Sequence, residues 1–111
     1  MCGVTGYINL NGEPASPSIL KKMIDLISHR GPDDNGYFIS GAVGLGHARL
    51  SIIDLSKAGK QPMETRDKRF VISYNGEVYN FKELRKELES LGHNFKSNTD
   101  SEVVLYAFAT W

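Results

Sequence analysis

The sequence has little that would suit a secreted, membrane-bound or nucleic-acid-binding protein. Its single cysteine cannot form an internal disulfide, which fits a reducing compartment. Thirteen basic residues balance thirteen acidic ones, so the charge gives no sign of a phosphate-backbone partner and we expect no nucleic-acid ligand. No apolar run approaches the roughly 18 residues of a membrane helix, and the N-terminus lacks a signal peptide pattern. We therefore expect a cytoplasmic protein without a membrane partner.

The length of the chain allows one domain. A chain of 111 residues removes roughly two-thirds of its extended surface from water when it folds, which is enough for one ordinary core. A helical pattern is still in progress at Trp111, and no glycine or polar stop follows it. We therefore expect residues 1–111 to be the first part of a longer domain.

Hydrophobic periodicity divides the chain into short strands and three helices. Short apolar runs predict strands at 2–10, 37–39, 42–50, 51–53, 69–74 and 94–96. Helical spacing predicts helices at 17–28, from Asn80 to Gly92 and from Thr99 onward, with capping-box pairs at Asn80/Glu83 and Thr99/Glu102. This order favours an α+β fold of antiparallel strands and helices, with α/β as the alternative.

The position of the lone cysteine gives it a second interpretation besides a buried or incidental thiol. Met1 precedes a small residue, and removal of such a methionine would leave the thiol of Cys2 beside a free α-amine. An amine and a thiol ionise in neighbouring pH ranges, so the amine can act as the base for the sulfur. Gly3 and Gly6 would let a substrate approach closely. The N-terminus is therefore a candidate nucleophile.

Six motifs in the chain resemble one known family. They are Cys2-Gly3-Val4-Thr5-Gly6, His29-Arg30-Gly31-Pro32-Asp33, His47 to Leu55, Gln61-Pro62-Met63, Asn75-Gly76-Glu77-Val78-Tyr79-Asn80, and Thr99-Asp100-Ser101-Glu102. In order and spacing they resemble the class II glutamine amidotransferase domain of glutamine-hydrolysing asparagine synthetases, and the match runs from end to end. The Arg-Leu-Ser-Ile-Ile-Asp and Asn-Gly-Glu-Val-Tyr-Asn stretches look like the asparagine synthetase branch.

The resemblance implies a fold and a larger protein. It implies the N-terminal nucleophile hydrolase fold, with antiparallel sheets layered between helices, in a domain on the order of 200 residues. An ATP-dependent synthetase domain follows it in the family, so we expect ATP and magnesium there and no cofactor in this chain. L-glutamine and the synthetase domain are the expected partners, and a homodimer remains an open alternative.

The resemblance also assigns the catalytic groups. Cys2 would attack the side-chain amide of glutamine, and the resulting oxyanion would be held by the side-chain amide of Asn75 and the backbone N–H of Gly76. The alternative for Asn75-Gly76 is a type I′ hairpin turn, for which this dipeptide is a strong signal.

The same resemblance assigns the residues that would bind glutamine. Arg49 would clamp the α-carboxylate, because a planar guanidinium offers two parallel donors. Asp100 would receive the α-ammonium, or would act only as a favourable charge in the first turn of a helix. Glu77 would line the site or be an ordinary loop carboxylate. The remaining contacts would come from the backbone and apolar wall of Leu50, Ser51, Ile52 and Ile53.

The three histidines show no metal-ligand spacing, and we expect no metal. We expect His29, His47 and His93 to be hydrogen-bonded or to face solvent. The resemblance implies that the loop at 29–33 packs near the active site, although termination of the preceding helix explains Gly31 and Pro32 equally well. The predicted function is hydrolysis of glutamine to supply ammonia for asparagine synthesis from aspartate and ATP. Two alternatives stay open: an amidotransferase that serves a sugar or another carboxylate, and a non-catalytic glutamine-binding module.

Overall fold

A computed structural model describes residues 2–50 and 57–111. These residues form two antiparallel sheets and three α-helices, so the expectation of antiparallel strands combined with helices is confirmed. The elements, in chain order, are β1 (Gly3–Ile8), α1 (Pro17–Ile27), β2 (Asp34–Ser40), β3 (Val43–Arg49), β4 (Met63–Glu64), β5 (Val71–Ile72), α2 (Phe81–Ser90) and α3 (Asp100–Thr110). The strand expected at 51–53 lies outside the described residues.

The larger sheet has the order β1-β3-β2, so β3 is paired on both sides. Ala48 near the end of β3 lies opposite Gly3 of β1 and Asn35 of β2. Both neighbouring strands therefore begin where β3 ends. This register brings the N-terminus of the chain to the C-terminal end of the central strand.

Helix α1 covers one face of the larger sheet, with Leu20 and Ile24 buried against it. The two glycines of β3 on this face allow the close approach: a Cβ added at Gly44 or Gly46 would lie 2.7 Å from the side chain of Leu20 or Ile24 respectively. Because side chains alternate along a strand, the intervening residues of β3 point away from α1. That second face carries the polar side chains described below.

The smaller sheet is shorter than the sequence predicts. A strand was expected over 69–74, but only Val71–Ile72 pairs, with Met63–Glu64. The backbone of Tyr74 instead bonds to buried side chains: its N–H donates to Oε1 of Gln61, and its carbonyl accepts from His47. Gln61 and His47 therefore satisfy the N–H and carbonyl of Tyr74, which a longer strand would have paired with a neighbouring strand.

The predicted strand at 94–96 is wrong, since no strand forms in this part of the described chain. The N–H groups of Lys96 and Ser97 both donate to the buried carboxylate of Glu102, at 2.9 and 2.7 Å. The Glu102 side chain, in the first turn of α3, therefore accepts the hydrogen bonds that a neighbouring strand would otherwise accept. The same bonds change the predicted capping box, because Thr99 Oγ1 caps the Glu102 N–H but the Glu102 carboxylate turns to residues 96 and 97.

The helix boundaries otherwise follow the sequence closely. Helix α1 begins after the cap Ser16, as predicted. Helix α2 begins after Asn80 without a side-chain cap, so the predicted capping box there is wrong. Gly92, with φ of 99°, ends α2 in the left-handed region that favours glycine. Among the described residues no helix is both long and apolar enough to cross a membrane.

Candidate active site

The thiol of Cys2 lies at the C-terminal end of β3. The N–H of Leu50 donates to Sγ at 3.2 Å, and Sγ lies 3.6 Å from the Leu50 carbonyl oxygen. Because Gly3 pairs with Ala48, the register continues with Cys2 opposite Arg49, and directly opposite residues share a face of the sheet. Cys2 is half-buried. The residue is therefore not sealed in the interior, and a backbone N–H lies beside its sulfur.

His47 lies on the same face, two residues before Arg49, and its side chain is fully buried. Its Nε2 lies 3.2 Å from the carbonyl oxygen of Tyr74. A carbonyl only accepts, so Nε2 carries the proton, and Nδ1 is buried without a hydrogen-bond partner in the described part of the chain. Burial lowers the pKa of His47; the bond to Tyr74 opposes this, and the charge of Arg49 lowers the pKa further. The expectation of a hydrogen-bonded histidine is therefore confirmed at Nε2 and is wrong only at Nδ1.

The guanidinium of Arg49 is buried beside the start of α3. A Cβ added at Gly59 would lie 2.5 Å from Nη2 of Arg49 and 2.8 Å from Cγ2 of Thr99. Only glycine leaves room for the guanidinium at this point. The arrangement brings a fixed positive charge to the residue that precedes Asp100.

Asp100 is the first residue of α3 and is only 7% exposed. Its Oδ2 accepts a hydrogen bond from the N–H of Val78 at 3.0 Å. It therefore faces the segment 74–78 rather than solvent, in addition to being a favourable first-turn charge. Burial raises the pKa of Tyr74, and the negative charges of Asp100 and Glu77 raise it further. A carboxylate has about four acceptor sites, so a bond to Val78 leaves capacity for an ammonium group.

Asn75 and Gly76 lie in an irregular segment between β5 and α2. The hairpin interpretation of this dipeptide is therefore wrong, since no strand follows it. A Cβ at Gly76 would lie 2.7 Å from Oη of Tyr74, so the tyrosine side chain packs directly against this glycine. Glu77 is exposed, and its hydrogen bond to Tyr79 raises the pKa of that tyrosine.

The structure brings Cys2, Arg49 and Leu50 together at the end of β3, and it brings Glu77 and Asp100 together around Tyr74. Ser51, Ile52 and Ile53 lie outside the described residues. Sequence reasoning overlooked the buried polar contacts of the site, which involve His47, Gly59, Gln61 and Glu102. His47 and Gln61 are the first residues of two of the motifs, and this position was the sequence signal that could have identified them.

The loop at 29–33 packs against β3, as expected. A Cβ at Gly31 would lie 2.1 Å from the carbonyl oxygen of Ala48, which leaves no space for any other residue. The N–H of Asp33 donates to the Arg49 carbonyl at 3.0 Å. His29 is exposed. In residues 2–50 and 57–111, no group of three or more His, Cys, Asp or Glu side chains is arranged to hold a metal ion.

The family model for the glutamine amidotransferase domain matches residues 1–111. The chain is a member of the glutamine amidotransferase domain family.

Three individual proteins are similar to this chain over nearly its whole length. The chain is 43% identical over 111 residues to the glutamine-hydrolysing asparagine synthetase 1 of Bacillus subtilis (strain 168), covering 97% of this chain and 17% of that protein. It is 44% identical to asparagine synthetase 2 of the same strain, covering 97% and 14%. It is also 38% identical over 117 residues to amidase chry2 of Gibberella zeae, covering 95% and 17%. The chain thus spans less than a fifth of the length of these relatives.

Proposed function

We propose that this chain is the glutamine-hydrolysing part of a larger amidotransferase, with Cys2 as nucleophile after removal of Met1. The observation that carries the proposal is the half-buried residue Cys2 at the end of β3, opposite Arg49, with its sulfur beside the Leu50 amide. Membership of the glutamine amidotransferase domain family supports the same reaction.

The reaction begins when the α-amine of Cys2 accepts the thiol proton. The sulfur forms a bond to the side-chain amide carbon of glutamine, and the oxyanion accepts hydrogen bonds from the Asn75 side chain and the Gly76 N–H. The C–N bond then breaks, and the nitrogen takes the proton from the ammonium and leaves as ammonia. Water attacks the resulting thioester, releases glutamate and restores the thiol.

Glutamine is held by groups of opposite charge. Arg49 binds its α-carboxylate through two guanidinium donors, and Asp100 receives its α-ammonium. The burial of both side chains, at 6% and 7% exposure, supports this assignment, because hydrogen bonds to a charged ligand are stronger where water is largely excluded. Glu77 lines the site, and Leu50, Ser51, Ile52 and Ile53 supply backbone contacts and an apolar wall.

The chain belongs, in this proposal, to a domain with the N-terminal nucleophile hydrolase fold, of which residues 1–111 form the first part. The antiparallel sheets and the helix α1 packed on the larger sheet support that assignment. A synthetase domain that uses ATP and magnesium receives the ammonia and makes asparagine from aspartate in the cytoplasm. Relatives named as glutamine-hydrolysing asparagine synthetases support this acceptor.

A second candidate is an amidotransferase with a different acceptor. The relative named amidase chry2 is 38% identical to this chain and is not named an asparagine synthetase, which supports keeping this candidate. Ammonia release from glutamine is common to both candidates. Assays of the full-length protein with aspartate and ATP distinguish them.

The test is a glutaminase assay on the full-length protein, after mass spectrometry has verified that Met1 is removed. The Cys2→Ala variant should lose glutamate formation and labelling by an electrophilic glutamine analogue, because both need the sulfur. His93→Ala, which changes a residue that contacts Thr110 at the C-terminal end of α3, is the matched control and should keep both. Glutamine hydrolysis at the wild-type rate by Cys2→Ala would rule out the mechanism.

A further inference from the structure

We propose that His47 and Gln61 are positioning residues, which hold Tyr74 by both of its backbone polar groups and thereby orient the oxyanion donors of Asn75 and Gly76. The proposal rests on the proposed glutamine hydrolysis. It gives a role to two residues that lie in sequence motifs but have no part in the reaction steps above.

The first contact fixes the peptide plane before Tyr74. Oε1 of Gln61 accepts a hydrogen bond from the Tyr74 N–H at 2.6 Å, and Gln61 is only 7% exposed. The backbone of Gln61 lies against β2, because a Cβ added at Gly36 would lie 2.5 Å from the Gln61 carbonyl oxygen. The residue that supplies the acceptor, Gln61, therefore packs against the larger sheet.

The second contact fixes the peptide plane after Tyr74. Nε2 of His47 donates to the Tyr74 carbonyl, and this peptide plane also contains the nitrogen and Cα of Asn75. His47 lies in the central strand, opposite Gly36 of β2. Gly36 is also the residue against which Gln61 packs, so both contacts originate at one place in the sheet. With both flanking planes held, the two soft backbone dihedrals of Tyr74 are fixed.

The far end of the segment is held as well. The Val78 N–H donates to Asp100, so the stretch from Tyr74 to Val78 is anchored at each end. Inside this stretch, Gly76 packs against the ring of Tyr74. The donors assigned to the oxyanion are therefore carried by a short segment whose start depends on His47 and Gln61.

Loss of either contact should lower kcat more than it raises KM. The oxyanion forms only during the reaction, so donors that are displaced weaken the transition state while Arg49 and Asp100 still bind glutamine. A displacement of about 1 Å at a reacting centre can lower a rate by roughly a hundred-fold. We expect kcat to fall by about ten-fold to a hundred-fold, with KM changed by less than about three-fold.

The experiment uses the full-length, Met-processed protein with His47→Leu and Gln61→Leu, which remove the donor and the acceptor. His47→Gln keeps a side-chain N–H donor and Gln61→Glu keeps an acceptor oxygen, so each should recover part of the lost kcat. Alkylation of Cys2 by iodoacetamide needs no oxyanion and should proceed at the wild-type rate in all four variants. His93→Leu, a histidine that contacts Tyr106 and Thr110, is the control for a histidine-to-leucine change and should keep its kcat.

The outcomes separate this proposal from the glutaminase proposal. Wild-type kcat in His47→Leu and Gln61→Leu would overturn the positioning role alone. Equal losses in the leucine and the conservative variants, with slower alkylation and raised KM, would reduce both residues to structural roles and overturn it too. If one leucine variant does not fold, as judged by circular dichroism, the other decides. A wild-type protein without glutaminase activity, or an active Cys2→Ala protein, would overturn the proposed function and this catalytic role with it.

Discussion

Replacement of Gly59 by alanine should weaken glutamine binding by displacing Arg49. The new Cβ would lie 2.5 Å from Nη2 of Arg49 and 2.8 Å from Cγ2 of Thr99. Nonbonded contacts have their optimum at about 3.5 to 4.0 Å, so the guanidinium must retreat by roughly 1 Å. The backbone at Gly59 is not in the left-handed region, so alanine itself adds no backbone strain. The guanidinium is the most movable group at this contact and should absorb the change.

The size of the effect follows from the hydrogen bonds at stake. A hydrogen bond to a charged group contributes about 1.5 to 3 kcal/mol, and each 1.4 kcal/mol changes Kd about ten-fold. Loss of one of the two guanidinium bonds to the α-carboxylate should therefore raise the Kd of glutamine by roughly ten-fold to a hundred-fold.

Calorimetric titration of glutamine into the Cys2→Ala protein measures this without turnover. Gly59→Ala is compared in that background with Lys57→Ala, which changes an exposed side chain of the same turn and should leave Kd unaltered. An unchanged Kd in Gly59→Ala, with the thermal unfolding midpoint also unchanged, would refute the placement of Arg49 as a carboxylate ligand.

Two further predictions concern buried charge. Asp100→Asn keeps an acceptor for the Val78 N–H but removes the negative charge, so the segment should stay in place while the Kd of glutamine rises at least about ten-fold in calorimetry; an unchanged Kd would contradict the ammonium assignment. The pKa of His47 is lowered from 6.5 by burial, so the unfolded chain binds more protons than the folded one as the pH falls below about 6.5. The free energy of unfolding should therefore decrease as the pH falls from 6.5 through the folded pKa, by at most about 1.4 kcal/mol per pH unit, and denaturant titrations should find this contribution missing in His47→Gln.

The sequence predicts much of the fold because local rules decide those parts. The bounds of α1 follow from Ser16-Pro17 and the apolar spacing after it, and Gly92 ends α2 through its positive φ. The failures occur where a side chain from outside the predicted strand takes over its backbone groups. Gln61 and His47 shorten the strand expected at 69–74, and Glu102 replaces the strand expected at 94–96. The alternation of apolar residues does not encode these side-chain bonds, which span 13 and 27 residues at Tyr74 but only 6 and 5 residues at Glu102.

The candidate site likewise has residues that the sequence identifies and contacts that only the folded structure shows. The terminal thiol of Cys2 could be selected from its chemistry, and the other assigned residues came from the family resemblance and stay predictions. The contacts that position them could not be found from spacing, since the close approach of Gly59 to Arg49 and the bond of His47 to Tyr74, 27 residues along the chain, depend on how the loops fold back. Only the folded backbone shows that a glycine shapes the arginine pocket and that a histidine holds the segment carrying Asn75.

Intact-mass analysis of the full-length, Met-processed protein after incubation with an electrophilic glutamine analogue tests the role of Cys2 most directly. One adduct should form per chain, and peptide mapping should locate it on the Cys2 sulfur, with excess glutamine slowing its formation. An adduct on another residue, or labelling of Cys2 that glutamine does not slow, would contradict a glutamine site built around this thiol.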